Sequence, residues 1–365
     1  MRARHQQIPS PMPVFCRIPR QAIALRHGNG GRMGVPMESI TKNRQPLKTL
    51  RAMIERAYGT ARVPGGDDFA EEITHGWFNV IYRIRLRDGQ QVVLKIAPPG
   101  HVAVLTREQN MMRNELAAMA LVRDRTGVPV PQVDHADLSR ELINADYFFM
   151  EYVDADNFGL AAADGRLTAE VITAGGRQLG ALNRELNSIV GPHFGPLEGP
   201  GSATWHAAFT TMIEDTLTDG ARVQVDLGWD HDDIRAVLAE NASALDAVTE
   251  PRFVEVDLWT KNSMIRDGQI VSILDHERAV YGDPLMEAGL TGIDLPVFGD
   301  PADFMQGYGL GELSEAQRVR RRLYSLYLAV IMIVETKYRG HTDTTTYDFG
   351  RAQLDLLMAQ FGRTR

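Results

Sequence analysis

Val256-Asp257-Leu258-Trp259-Thr260-Lys261-Asn262 and, after a short hairpin, Ile273-Leu274-Asp275-His276-Glu277 form the stretch on which the reading of this chain turns. An Asp five positions before an Asn, with a second Asp beyond a strand, can surround one divalent cation and one hydroxyl. Phosphoryl transfer requires that inventory: a carboxylate to orient and deprotonate the attacking hydroxyl, and hard oxygen ligands for Mg2+ bridging the phosphates. In this reading Asp257 is the base, and Asn262 and Asp275 hold the metal. The spacing alone fits equally well Asp and Asn residues that only begin turns around a hairpin.

Working outward, Lys95 closes the apolar strand Val92-Val93-Leu94, and it is one of only five lysines in the chain. Glu115 follows on a predicted helix. A Lys on a strand and a Glu on the next helix form the ion pair that aims an ammonium at the nonbridging oxygens of a nucleotide. Taken singly, each reads as a snorkelling lysine or a solvated glutamate. In this order, ahead of the Asp motif, the two favour phosphoryl transfer.

The pattern around these residues predicts a helix over 47–58 and strands over 73–86 and 91–96 joined by the Asp88-Gly89 turn. A helix over 105–125 stops before Gly127, and 147–153 reads as a buried strand. Asp154 to Asn157 is a polar break where the chain changes lobes. Beyond it helices are predicted over 168–187, 203–218, 230–249, 314–338 and 345–361, with strands only at 253–256, 263–265 and 269–274. The fold class is α+β. The expected division is a disordered extension over 1–44, a sheet-rich nucleotide-binding lobe and hinge over 45–153, and a helical lobe with the catalytic and metal loops over 154–365.

Composition bounds the alternatives. With 365 residues, 44% of them hydrophobic and 24% charged, the chain is long enough for two lobes and is not disordered, collagenous or coiled-coil as a whole. Cys16 is the lone cysteine, so neither an internal disulfide nor a structural zinc is expected, and the cytoplasm is the expected compartment. The longest apolar run, 323–334, falls short of the ~20 residues of a membrane span and reads as a buried helix. Residues 1–40 hold six Arg against Glu38, leaving 33 basic and 46 acidic residues, a balance of −13 that repels nucleic-acid phosphates. No nucleic-acid or membrane partner is expected. The basic head lacks a secretory apolar core and reads as a dispensable tail or an early start ahead of Met33 or Met37, with an Arg-rich organelle signal as the alternative. No zinc spacing, G-x-S-x-G elbow or strand-linked G-x-G-x-x-G is present, and Arg318, Arg320, Arg321 and Arg322 read as a solvated helix face.

In this order the motifs resemble the aminoglycoside phosphotransferase family, small-molecule kinases with a two-lobed protein-kinase-like fold: a small antiparallel-sheet N-lobe and a larger, mostly helical C-lobe. The resemblance covers roughly residues 50–290. Residues 74–82 look like the family's first hairpin, whose loop covers the nucleotide phosphates and here contains Gly76 and Asn79. Val93-Leu94-Lys95-Ile96 matches the lysine strand, and Asn114-Glu115-Leu116 the glutamate helix. Phe148-Phe149-Met150-Glu151-Tyr152-Val153 looks like the hinge, where the resemblance implies that backbone groups of Glu151 and Val153 bond the purine and Met150 backs the base. Residues 253–262 match the catalytic segment, and 274–284 the metal segment and its exit.

Two positions depart from the family. Glu255 stands two residues before the catalytic Asp, where the family has His, and Lys261 precedes the metal Asn, where Gly is common. Gly282 follows Asp275 by only seven positions, which leaves no room for a peptide-docking loop and argues for a small-molecule acceptor. The resemblance implies ATP or GTP with Mg2+ and an O-phosphotransferase acting on a small-molecule hydroxyl, an antibiotic foremost. The alternatives are a metabolic kinase of a sugar, amino alcohol or nucleoside and, below it, a nucleotide-binding regulator without catalysis.

Overall fold

The structure, a computed structural model, describes residues 39–74, 76 and 78–365. Most of the segment read as a disordered extension, 1–38, lies outside the described residues. Its last part, 39–44, is tied to the N-terminal sheet: Thr41 is buried, the Lys42 ammonium donates to the Asn79 carbonyl at 2.7 Å, and Asn43 donates to the Ala97 carbonyl at 3.0 Å. The boundary of the folded part therefore falls before residue 45.

Helix α1 (Leu47–Tyr58) leads into an antiparallel sheet of β1 (Ala70–Glu72), β2 (Val80–Arg85), β3 (Gln91–Ile96), β4 (Val133–Asp137) and β5 (Tyr147–Glu151) in the order β1-β2-β3-β5-β4. Alternation puts Val92, Leu94 and Ile96 into a core with Leu50, Met53 and Ile54 of α1. Lys95 therefore points to the opposite face, paired in register with Ile81 and Phe148. That face is covered by α2 (Met111–Arg125), whose Met112 and Met119 pack on Phe148. Of the run read as a strand over 73–86 only β2 is strand: its first part, carrying Gly76 and Asn79, is a loop, and β1, which the sequence pattern does not predict, lies just before it.

Past β6 (Asp156–Asn157) the chain is mostly helical: α3 (Phe158–Ala163), α4 (Ala169–Leu186), then β7 (Gly195–Pro196), α5 (Trp205–Arg222), α6 (His231–Glu240) and α7 (Ala242–Asp246). The predicted helix over 230–249 is broken in two at Asn241, whose side chain donates back to Val237 O. Next come β8 (Arg252–Val254), β9 (Ser263–Arg266), β10 (Gln269–Ile273) and β11 (Val280–Gly282) in two three-stranded sheets, β10-β9-β6 and β7-β11-β8. Helices α8 (Ala302–Tyr308), α9 (Glu315–Tyr338) and α10 (Thr345–Gln360) complete the lobe.

Helix α9 starts in a capping box between Ser314 and Gln317 and runs through the core, so the 323–334 run is a buried helix as read. Its basic start is a solvated face only in part: Arg318 is exposed, whereas two of the four arginines turn inward. Arg320 is buried with its Nε 2.6 Å from Asp283 Oδ2, and Arg321 is buried against the Leu285 carbonyl and Asp294. All three partners lie on the segment after β11, so these two arginines fix that segment to the core.

Candidate active site

The site lies where β3 and α2 of the N-lobe face the two loops of the C-lobe. Lys95, with its side chain 3% exposed, reaches Glu115 Oε2 at 2.7 Å, Asp275 Oδ1 at 2.8 Å and Glu277 Oε2 at 3.3 Å. Burial alone would release its proton, and the three carboxylates reverse that and hold the ammonium well above its ordinary value. Burial drives Glu115 up against the pull of Lys95. It likewise raises Glu277, with Asp275 beside it, to about 7. For Asp275 burial is outweighed by Lys95, which holds the carboxylate below its ordinary value. Asp275 adopts the left-handed conformation (φ 69°) and its side chain is 37% exposed, so one end meets Lys95 and the rest faces the cleft.

Asp257 sits just after β8 on a loop shaped by Val256, a β-branched residue at φ 67°. Such a conformation costs about 1–3 kcal/mol and persists only where the surroundings impose it. Three bonds impose it here. Leu258 N–H donates to Glu287 Oε1 at 2.7 Å, Asn262 Nδ2 donates to the Asp257 carbonyl at 2.9 Å, and Leu274 N–H donates to the Asn262 carbonyl at 2.8 Å. The loops bearing Asp257 and Asp275 are thereby joined at Asn262. Because Asn262 commits its amide nitrogen, its side-chain oxygen is the atom it offers, and with Asp275 it supplies the hard oxygen donors that a small divalent cation takes. The donor set fits Mg2+. Arg278 lies 3.8 Å from the Asp257 carboxylate and 4.0 Å from Glu335, so its charge sits between the two.

The remaining expected residues are close by but not all free. Asn79 donates to Glu277 Oε2 at 2.6 Å, so its amide braces the carboxylate cluster. Gly76 stands in the same loop with no atom within 4 Å of the place a Cβ would take. Met150 packs with Met112, Met119 and Phe148 at the back of the cleft. At the hinge the Glu151 N–H is taken by Gln132 O and the Val153 carbonyl by Ala155 N–H, so of these two residues it is Val153 that keeps its N–H to offer.

Glu255 has found a partner: its Oε1 is 2.7 Å from His276 Nδ1, and both side chains are buried. Burial would lower the His276 pKa, and Glu255 instead raises it, making a charged pair that links the two loops from the opposite ends. Sequence reading missed Glu277 and Arg278 as members of the site. The alternation Asp275-His276-Glu277 at a strand exit is the one local signal that pointed to Glu277.

This assembly of a strand lysine, a helix glutamate and two oxygen-bearing loops in a two-lobed α+β chain defines a kinase-like phosphotransferase. The phosphotransferase enzyme family model matches residues 70–324, and the chain belongs to that family, acting as a kinase on a small-molecule hydroxyl. Among solved structures it is similar to a thermostable variant of aminoglycoside phosphotransferase APH(4)-Ia in ternary complex with AMP-PNP and hygromycin B, at 14% identity and TM-score 0.63 over 87% of this chain and 100% of that one. It is similar to APH(2")-IIa in complex with gentamicin at 12% identity and TM-score 0.57, over 86% and 98% of the two chains. A Thermobifida fusca protein assigned as a fructosamine-3-kinase matches at 20% identity and TM-score 0.57, over 84% and 98%. No curated protein matches by sequence. Among the described residues no helix is long and apolar enough to cross a membrane.

Proposed function

We propose that the protein transfers the γ-phosphoryl group of ATP, with Mg2+, to a hydroxyl of an antibiotic-like natural product. The observation that carries this is Lys95 held between Glu115 and Asp275, with Asp257 and Asn262 on the loop bonded to the Asp275 segment. AMP-PNP in the complex of APH(4)-Ia favours ATP over GTP. Val153 N–H bonds the purine, Glu151 lies beside it at the hinge, and Met150 backs the base. The loop with Gly76 and Asn79 covers the phosphates, and Lys95 aligns them.

Asn262 and Asp275 hold Mg2+, which when bound neutralises charge on the phosphates. Asp257 takes the hydroxyl proton as that oxygen bonds to the γ-phosphorus. The bond from phosphorus to the β,γ-bridging oxygen breaks, and ADP leaves with the electron pair. A lone cysteine and a need for ATP fit a cytoplasmic reaction. The likeness to a protein assigned as a fructosamine-3-kinase supports a second reading, a metabolic small-molecule kinase.

Acceptor-dependent ADP release, measured with Mg–ATP and an antibiotic and metabolite panel, tests the assignment. Asp257→Ala is expected to lose about 10²–10⁴-fold in turnover with nucleotide binding retained, and Asp275→Ala to weaken Mg–nucleotide binding itself. Turnover retained in the first variant, or unchanged affinity in the second, removes that residue from its role.

A further inference from the structure

The loop between β1 and β2 meets the helical lobe at a second point besides Asn79. Phe78, half-buried, lays its ring 4.8 Å from the guanidinium carbon of Arg339. Arg339 caps the C-terminal end of α9 and lies beyond residues 70–324, the part of the chain that the family model matches.

Arg339 has little freedom. It is 2% exposed, its backbone N–H closes the last turn of α9 on the Glu335 carbonyl at 2.9 Å, and its Nη2 donates to Glu335 Oε1 at 2.6 Å. Nη1 donates to Glu108 Oε2 at 3.2 Å, and Nη2 also meets Glu108 Oε1. Glu108 is itself anchored on the segment between β3 and α2, where its Oε2 accepts the Leu105 N–H at 3.0 Å and Asp219 of α5 accepts the Thr106 N–H at 2.6 Å. The edges of the guanidinium are thus spent on carboxylates, which leaves its face for a ring. Each carboxylate also has a second arginine near it, Arg107 at 3.8 Å from Glu108 and Arg278 at 4.0 Å from Glu335, so the Arg339 charge is not cancelled locally and attracts the electron-rich face of Phe78.

Asn79, held by Lys42 and Glu277, fixes the end of the loop where β2 begins. The Phe78 ring extends that hold by one residue toward Gly76. A loop ordered before its ligand arrives costs less to order on binding. We infer that Phe78 is a positioning residue: Arg339, set by Glu108 and Glu335, holds its ring and so pre-orders the loop over the nucleotide phosphates. The inference rests on the reading of that loop as the phosphate cover, and it makes nucleoside triphosphate affinity depend on the far end of α9.

Calorimetric titration of the full chain with Mg–AMP-PNP and with adenosine, which has no phosphate for the loop to cover, tests this. Phe78→Leu keeps the apolar bulk and is expected to weaken Mg–AMP-PNP at least fivefold, with the adenosine Kd unchanged. A ring that only packs in the fold would move both ligands or neither. Fluorine atoms placed on the Phe78 ring draw electron density from its face at nearly constant shape, and are expected to weaken Mg–AMP-PNP stepwise with their number. Equal Mg–AMP-PNP affinity in the wild type and Phe78→Leu, an equal loss for adenosine, or an affinity indifferent to fluorination overturns the proposal. The wild type separates the two failures: no binding of Mg–AMP-PNP to it sinks the kinase reading and this inference together, whereas wild-type binding that Phe78→Leu leaves intact sinks this inference alone.

Discussion

The carboxyl of Glu287 accepts the Leu258 N–H at 2.7 Å, so a residue 29 positions away in the chain holds the backbone next to Asp257. The same oxygen also accepts the Ala288 N–H at 3.1 Å, and the other, Oε2, is buried without a partner. Burial, with Glu255 and Asp257 adding their charges, pushes this carboxyl up to about 8. The unpartnered Oε2 is the atom that keeps the proton.

From this follows a pH dependence of stability. The folded chain keeps the Glu287 proton to about pH 8, whereas the unfolded chain gives it up near 4.5. Between those values the folded state binds more protons, so the contribution is full below pH 4.5, falls as pH rises through 8 and is flat above it. Glu287→Gln keeps an amide oxygen for the Leu258 N–H and removes the titration. Its Tm is expected to fall less steeply than that of the wild type between pH 5 and 8.5, and parallel curves would show that the carboxyl ionises freely. Glu287→Ala leaves the Leu258 N–H unpaired, at a cost of about 1–3 kcal/mol at any pH.

Lys95 holds the carboxylate cluster together and, in the proposed function, also aligns the phosphates, and the two roles can be separated. Lys95→Met leaves Glu115, Asp275 and Glu277, whose oxygens lie within 4.8 Å of one another, with no ammonium between them. Breaking a buried pair on one side costs about 3–5 kcal/mol, to be read as a lower denaturation midpoint. Adding Glu115→Gln removes one orphaned charge and is expected to restore part of that stability while ADP release stays at background. Turnover regained in the double variant would deny Lys95 its role at the phosphates.

Much of the fold was legible because its signals are local. The alternation over 91–96 and the helical spacing over 47–58 are met by β3 and α1 at the same residues. The loop before β2 was not legible, since the apolar and aromatic residues of 73–78 read as a continuation of that strand. What bends the loop is distant: Lys42 on the Asn79 carbonyl and Glu277 on its amide, 37 and 198 positions away. The misreading of Arg320 has the same cause, because a basic helix start looks solvated until Asp283, 37 positions back, is brought beneath it. Strands of two or three residues such as β6, β7 and β11 carry no period to detect. In the site, Lys95, Glu115, Asp257, Asn262 and Asp275 stood out by type and order. Glu277 did not, since its partners come from β3 and the loop before β2.

Helices α4 and α8 approach so closely at Gly180 that a Cβ there would stand 2.0 Å from the Phe304 carbonyl oxygen and 2.7 Å from the Tyr308 nitrogen. These are backbone atoms and cannot rotate away. Gly180→Ala must therefore push α8 off α4, with an overpacking cost of about 1–3 kcal/mol or more. Asp303 and Phe304 of α8 line the cavity beside Asp257, where the proposed function places the acceptor, whereas Lys95 and the hinge lie on the other lobe. The variant is expected to lower Tm and raise the acceptor KM with the nucleotide Kd kept. Gly311, with open space around it and no left-handed backbone, is the control, and Gly311→Ala should change neither. An equal loss of nucleotide affinity in Gly180→Ala would mean that the α4–α8 contact supports the whole cleft and not the acceptor wall alone.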